Sequence, residues 1–220
     1  MRLARIAALI HKDLLLDARR LSEAGSMLVF VAAASVLASY AVRGSVSPRA
    51  GVEGLLIVMV FLAVYTALSS FIREAERGTL DALRVSPATP EEVFTAKLVY
   101  SLILLYGSSL AYSLLYAFFS GDASLLAPPA LLVTLLVALY MAAASSLSSA
   151  ILVYSEARSF LLPVTITVLI LPYLQAAAPA LNDAVLGAGV AEGGFAMLSI
   201  AAAGFAALTV WLSRYALEAL

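Results

Sequence analysis

The residues of this chain with the chemistry to engage another molecule are concentrated between Arg73 and Lys97, where REAERGTLDALRVSPATPEEVFTAK forms a charged island in otherwise apolar sequence. The chemistry they offer is recognition by charge and shape. Gly78 interrupts any helix arriving from the preceding apolar run, and Thr79 is placed to accept a backbone N–H as the N-cap of a new short helix. Asp81 falls in the first turn of that helix, where the helix dipole favours negative charge. The helix carries Leu80, Leu83 and Arg84 and can run only to about Val85, because Pro87 forces Ser86 out of the helical region. Thr89, Pro90 and Glu92 then read as N-cap, N1 and N3 of a capping box, so a long helix starts here and enters the next apolar run through Val93, Phe94 and Leu98. Two capped starts and two breakers in so short a stretch exceed what a solvated loop needs. Two roles fit such an island: a well-capped turn holding two helices together, and a surface helix presented to a partner.

A second polar set lies in the apolar run that follows. Tyr106, Ser109, Ser113 and Tyr116 recur at i, i+3, i+7 and i+10, which lines hydroxyls along one side of a helix. Such a stripe serves either helix packing through hydroxyl hydrogen bonds or the lining of a path. Chemistry of other kinds lacks its residues. The only lysines are Lys12 and Lys97, neither preceded by a glycine-rich loop, so the chain has no P-loop and ATP use belongs to a partner. No His pair, HExxH or carboxylate cluster has metal spacing, and no Ser, His and Asp set converges. There is no Cys, which excludes disulfides and thiolate sites. His11, the single histidine, is either a haem ligand or a bystander in an interfacial helix.

The elements that must position these residues are membrane helices. With 63% hydrophobic and 12% charged residues, the chain is read as an all-α integral membrane protein with one domain, residues 1–220. Six apolar runs are long enough to cross a bilayer: Ser26 to Val42, Leu55 to Ile72, Leu98 to Phe119, Leu125 to Tyr154, Phe160 to Ala178 and Phe195 to Trp211. None has an ionisable Lys, Arg, Asp or Glu inside, which counts against an ion-coupled carrier. Residues 1–24 carry Arg2, Arg5, Lys12, Arg19 and Arg20 with Leu3, Ala7, Ile10 and Leu14 at helical spacing, as in an amphipathic interfacial helix. A signal peptide is rejected because His11, Lys12 and Asp13 cut the apolar stretch short. Eleven Lys and Arg lie on the side of the island and both termini, against Arg43 and Arg49 on the other. That asymmetry places both termini and the island in the cytoplasm. Ala138, Ala142, Ser145, Ser146 and Ser149 are small residues for close helix approach. Pro163 and Pro172 predict a kinked fifth span, and the Gly-rich link at 179–194 is an external segment with the option of dipping back as a re-entrant hairpin.

REAERGTLDALRVSPATPEEVFTAKL resembles the charged stretch between the second and third spans of ABC type 2 exporter permeases, through Glu74, Glu76, Gly78, Thr79, Leu80, Asp81, Leu83, Ser86, Pro87 and Lys97. Within that superfamily the length, the short external loops and ARSFLLPVTITVLILPYL at Ala157 to Leu174 are most similar to the haem exporter protein B (CcmB) family of cytochrome c maturation. The resemblance implies a six-span permease in the cell's inner membrane that pairs with a second permease copy, each above a separate ATP-binding cassette subunit. It implies that residues 73–97 hold a coupling helix contacting the ATPase, with Glu74, Glu76, Arg77, Gly78, Thr79, Leu80, Asp81, Leu83, Arg84, Ser86 and Pro87 at the contact. In the CcmB branch the partners would be a CcmA-like ATPase and a CcmC-like protein. Haem would be substrate, ATP would sit on the partner, and no cofactor would be bound by this chain. Alternatives are a generic type 2 exporter for a drug, lipid or polysaccharide, and a non-transporting scaffold for a cytoplasmic ATPase.

Overall fold

The computed structural model describes residues 2–19, 21–44, 49–76, 78, 88–187 and 192–218. The order of elements is α1 (Arg2–Ala18), α2 (Leu21–Gly44), α3 (Arg49–Ala67), a π-helical turn (Leu68–Ile72), α4 (Arg73–Glu76), α5 (Pro90–Ser120), a 3₁₀ turn (Ser124–Leu126), α6 (Pro128–Leu152), α7 (Arg158–Val185) and α8 (Glu192–Glu218). Every described element is helical, as the apolar runs require of a backbone that must satisfy itself in lipid. Among the described residues, five stretches are long and apolar enough to span: Arg49–Glu76, Pro90–Ser120, Pro128–Leu152, Arg158–Val185 and Gly194–Tyr215. The first expected span is a shorter apolar stretch, Gly25–Ala41, within α2. It rises roughly 25 Å, near the lower limit for crossing.

Helix limits follow local chemistry where that chemistry is strong. At the start of α5 the Thr89 hydroxyl accepts from the Glu92 N–H at 3.3 Å while the Glu92 carboxylate accepts from the Thr89 N–H at 3.1 Å, completing the expected capping box. Its far end stops at Gly121, whose φ of 79° is the left-handed conformation that glycine adopts without strain. Two limits differ from expectation. The interfacial helix ends at Ala18 and residues 21–24 belong to α2. At the other end, α7 keeps its helix through Pro163, Pro172 and Pro179 to Val185, so much of the expected external link is helix. Packing against α6, α3 and α8 overrides the prolines' lost donors.

The hub is α6, which packs against α3, α5, α7 and α8. Its Ala138, Ala142, Ser145, Ser146 and Ser149 are fully buried, and their small size lets four helices approach one axis. Tyr140 of α6 stacks between Tyr173 of α7 and Phe205 of α8, with ring centroids 4.1 and 4.5 Å apart. At the end of the bundle far from α1, Tyr112 and Tyr116 of α5 lie flat against the start of α3. A Cβ on Gly51 would stand 2.6 Å from the Tyr116 ring, and one on Gly54 2.3 Å from the Tyr112 hydroxyl oxygen. At both, an added methyl would force the tyrosine ring to shift.

Candidate functional site

Of the island residues expected to meet a partner, Glu74, Glu76 and Gly78 are described, whereas Arg77, Thr79, Leu80, Asp81, Leu83, Arg84, Ser86 and Pro87 lie outside the described residues. The structure therefore gives the two roots of the segment. The incoming root is α4, ending where the Gly78 N–H donates to the Ala75 carbonyl at 3.1 Å, with Gly78 at a φ of 66°. The outgoing root is the first turns of α5.

Both roots are tied to α1 by charge. Lys97 on α5 is only 3% exposed, and its ammonium lies 2.8 Å from Asp13 of α1 and 2.8 Å from Glu74 of α4. Lys12 of α1 reaches the same Glu74 oxygen at 2.8 Å and Asp13 at 3.4 Å. One turn along, Asp17 of α1 holds Arg73 of α4 at 2.5 Å and accepts a hydrogen bond from the Tyr100 hydroxyl of α5. Arg5 approaches Glu92 at 3.6 Å. Helical spacing explains the set: Asp13 and Asp17 are four apart on α1, Lys97 and Tyr100 three apart on α5, so each pair shares a face. Burial by itself would lower the Lys12 pKa, but its bond to Glu74 and the charges of Asp13 and Glu74 outweigh that and hold it above the ordinary lysine value.

Three carboxylates, Asp13, Asp17 and Glu74, balance three cations, Lys12, Arg73 and Lys97, around a cavity of about 230 Å³. A balanced network offers a ligand little net charge; it supplies fixed geometry. Beneath it sits a small apolar cluster built on Phe71, Val93, Phe94, Leu98, Leu147 and Val153, with Phe71 and Phe94 stacked at 6.4 Å. The roots of the segment and α1 are thus tied into one unit by ion pairs over apolar packing.

The hydroxyl stripe lies inside the chain. Ser109, Ser113 and Tyr116 are buried and Tyr106 half-buried. Ser109 donates to the Tyr106 carbonyl at 2.7 Å and Ser113 to the Ser109 carbonyl at 2.9 Å, so both hydroxyls are used on their own helix. Tyr116 stacks on Tyr112 against Gly51. Of these side chains Tyr116 packs α5 on the start of α3. His11 is exposed on α1, and among the described residues no His, Cys, Asp or Glu group could hold a metal. Sequence reasoning missed Asp13, Asp17 and the inward role of Lys97. The available signal was the acidic pair at i, i+4 within an otherwise basic segment.

A comparison with curated proteins finds no match. The sequence profile of the family described as ABC-2 type transporter matches residues 6–172, well over half of the chain, taking in most of α1, both roots of the island and the six charged residues around the cavity. A multi-pass helical protein matched from residue 6 to residue 172, through its charged clamp and three of its spans entire, belongs to the ABC-2 type transporter membrane family.

Proposed function

We propose that this membrane subunit takes the drive for transport through residues 77–88, on which a separate ATP-binding cassette subunit docks, and that it is a CcmB-like permease moving haem for cytochrome c maturation. The chain is the permease component of an ABC transporter, a family that works with an ATP-binding cassette partner. In the proposed assembly the charged end and both termini face the cytoplasm, and a CcmA-like ATPase, a second permease copy and a CcmC-like protein complete the complex. One observation supports the docking reading above others: both roots of the segment are locked to α1 by buried ion pairs centred on Lys97. Force applied to a segment held in this way passes to α3 and α5 together.

Reversing charge at Asp81 and Arg84 with Leu83→Asp should abolish co-purification of the co-expressed cassette ATPase while membrane insertion persists. Undiminished co-purification would refute the docking reading. The haem branch is tested separately by replacing the Walker lysine of the ATPase. A transporter then loses its cargo delivery, whereas a scaffold keeps it. Normal c-type cytochrome levels in a strain lacking this chain would remove haem as the cargo and leave a generic exporter.

A further inference from the structure

The second span does not reach the charged end as one regular helix. Leu68–Ile72 forms a wide π turn, and Ser70 within it has non-helical torsions of φ −85° and ψ −116°. In a regular α-helix the Phe71 N–H would donate to the Ala67 carbonyl four residues back. Here the Ser149 hydroxyl of α6 stands between them: it accepts from the Phe71 N–H at 3.2 Å and donates to the Ala67 carbonyl at 2.7 Å. A side chain inserted into the i to i−4 ladder is a recognised cause of a helix break. All the partners are buried, so no bulk water competes for these bonds.

The alternative to this insertion is a closed helix. Closing would restore the direct Phe71 to Ala67 bond. It would also give the Ser70 hydroxyl, which is fully buried and has no partner among the described residues, a carbonyl one turn back. Ser39, Ser108 and Ser113 make such bonds within their own helices. The π turn holds one residue more than an α turn. Closing it therefore rotates everything beyond by roughly 100°, one residue's worth of helix. Arg73 and Glu74, immediately beyond, would turn away from Asp17 and Lys97.

We infer that Ser149 is a positioning residue for the island: its hydroxyl, wedged into the second span, sets the direction in which α4 presents Arg73 and Glu74 to α1 and α5. The functional weight of this rests on the docking role proposed for 77–88, but the wedge itself can be measured without an ATPase. The natural absence of Cys allows paired spin labels at Ala8→Cys on α1 and Glu76→Cys on α4 of the full chain, both exposed positions. Ser149→Ala should shift the label-to-label distance distribution. Deleting Ser70 in the Ser149→Ala background should return it, because removal of the extra residue gives a regular helix with the downstream register kept. An unshifted distance in Ser149→Ala, or no return on deletion, overturns the inference. Should Ser149→Ala not accumulate in the membrane, deletion of Ser70 alone carries the test: it must preserve the distance, and a shift overturns the inference. A confirmed wedge with unchanged ATPase co-purification in the Asp81, Leu83 and Arg84 variant would refute the docking role and spare the wedge.

Discussion

Replacing Lys97 by Met tests the clamp most directly. The ammonium is 2.8 Å from a carboxylate oxygen on each of two other helices, and the side chain is 4% exposed. At an effective dielectric of about 20, each such contact is worth about 6 kcal/mol before desolvation. Methionine matches the stem of lysine but leaves Asp13 and Glu74 buried and short of a cation. Breaking a buried pair on one side costs about 3–5 kcal/mol. Lys12, still 2.8 Å from Glu74 and 42% exposed, compensates in part, which sets the expectation at the lower end, about 3 kcal/mol. By globular scaling for a chain of this size, that lowers the melting midpoint by about 6–12 °C. The assay is unfolding in mixed detergent micelles followed by helical circular dichroism. Adding Asp13→Asn and Glu74→Gln to Lys97→Met removes the stranded charges and should recover stability to within about 1 kcal/mol of wild type. A loss below about 1 kcal/mol for the single variant, or no recovery in the triple, would show that the network does not hold α1 to the roots.

The remaining predictions concern packing and capping. Gly51→Ala forces its new methyl into the Tyr116 ring and should cost about 1–3 kcal/mol in the same melt, with Tyr116→Ala relieving the clash. Thr89→Ala removes one arm of the capping box and should cost about 1 kcal/mol, whereas Thr89→Ser should cost a few tenths. Ser109→Cys sits at 0% exposure inside the chain and should give no crosslink between copies under oxidation; an efficient crosslink would place α5 at the centre of a dimer.

Local chemistry was legible in the sequence and long-range pairing was not. The capping box of α5 is written in four consecutive residues, Thr89 to Glu92, and forms as read. Six apolar runs and the small residues of α6 are likewise local patterns, readable by length and spacing. The ion network joins Lys12 to Glu74 across 62 positions and Tyr100 to Asp17 across 83, and no periodicity links such partners. Ser149 read as one more small packing residue, because its role exists only through the backbone of Ala67 and Phe71 on another helix. Pro179 misled in the opposite direction: the break read at 179 yields to helices packed around it, and α7 runs on to Val185. The hydroxyl stripe had the right periodicity, but a stripe does not say which neighbour it faces; at Tyr116 that neighbour is the start of α3.

The apolar cluster around Phe71 and Phe94 is distinct from the larger core through α3, α6 and α7, the two meeting at their margins, on Leu139 and Phe205. In thermodynamic terms the charged end is expected to open as a cooperative unit before the bundle melts. Amide hydrogens of α4 and of the first turns of α5 should therefore exchange together, and well before those of α3. Opening there would free α1 and both roots of the island at a fraction of the global unfolding free energy, so the end at which we place the docking partner is expected to be the end that yields first.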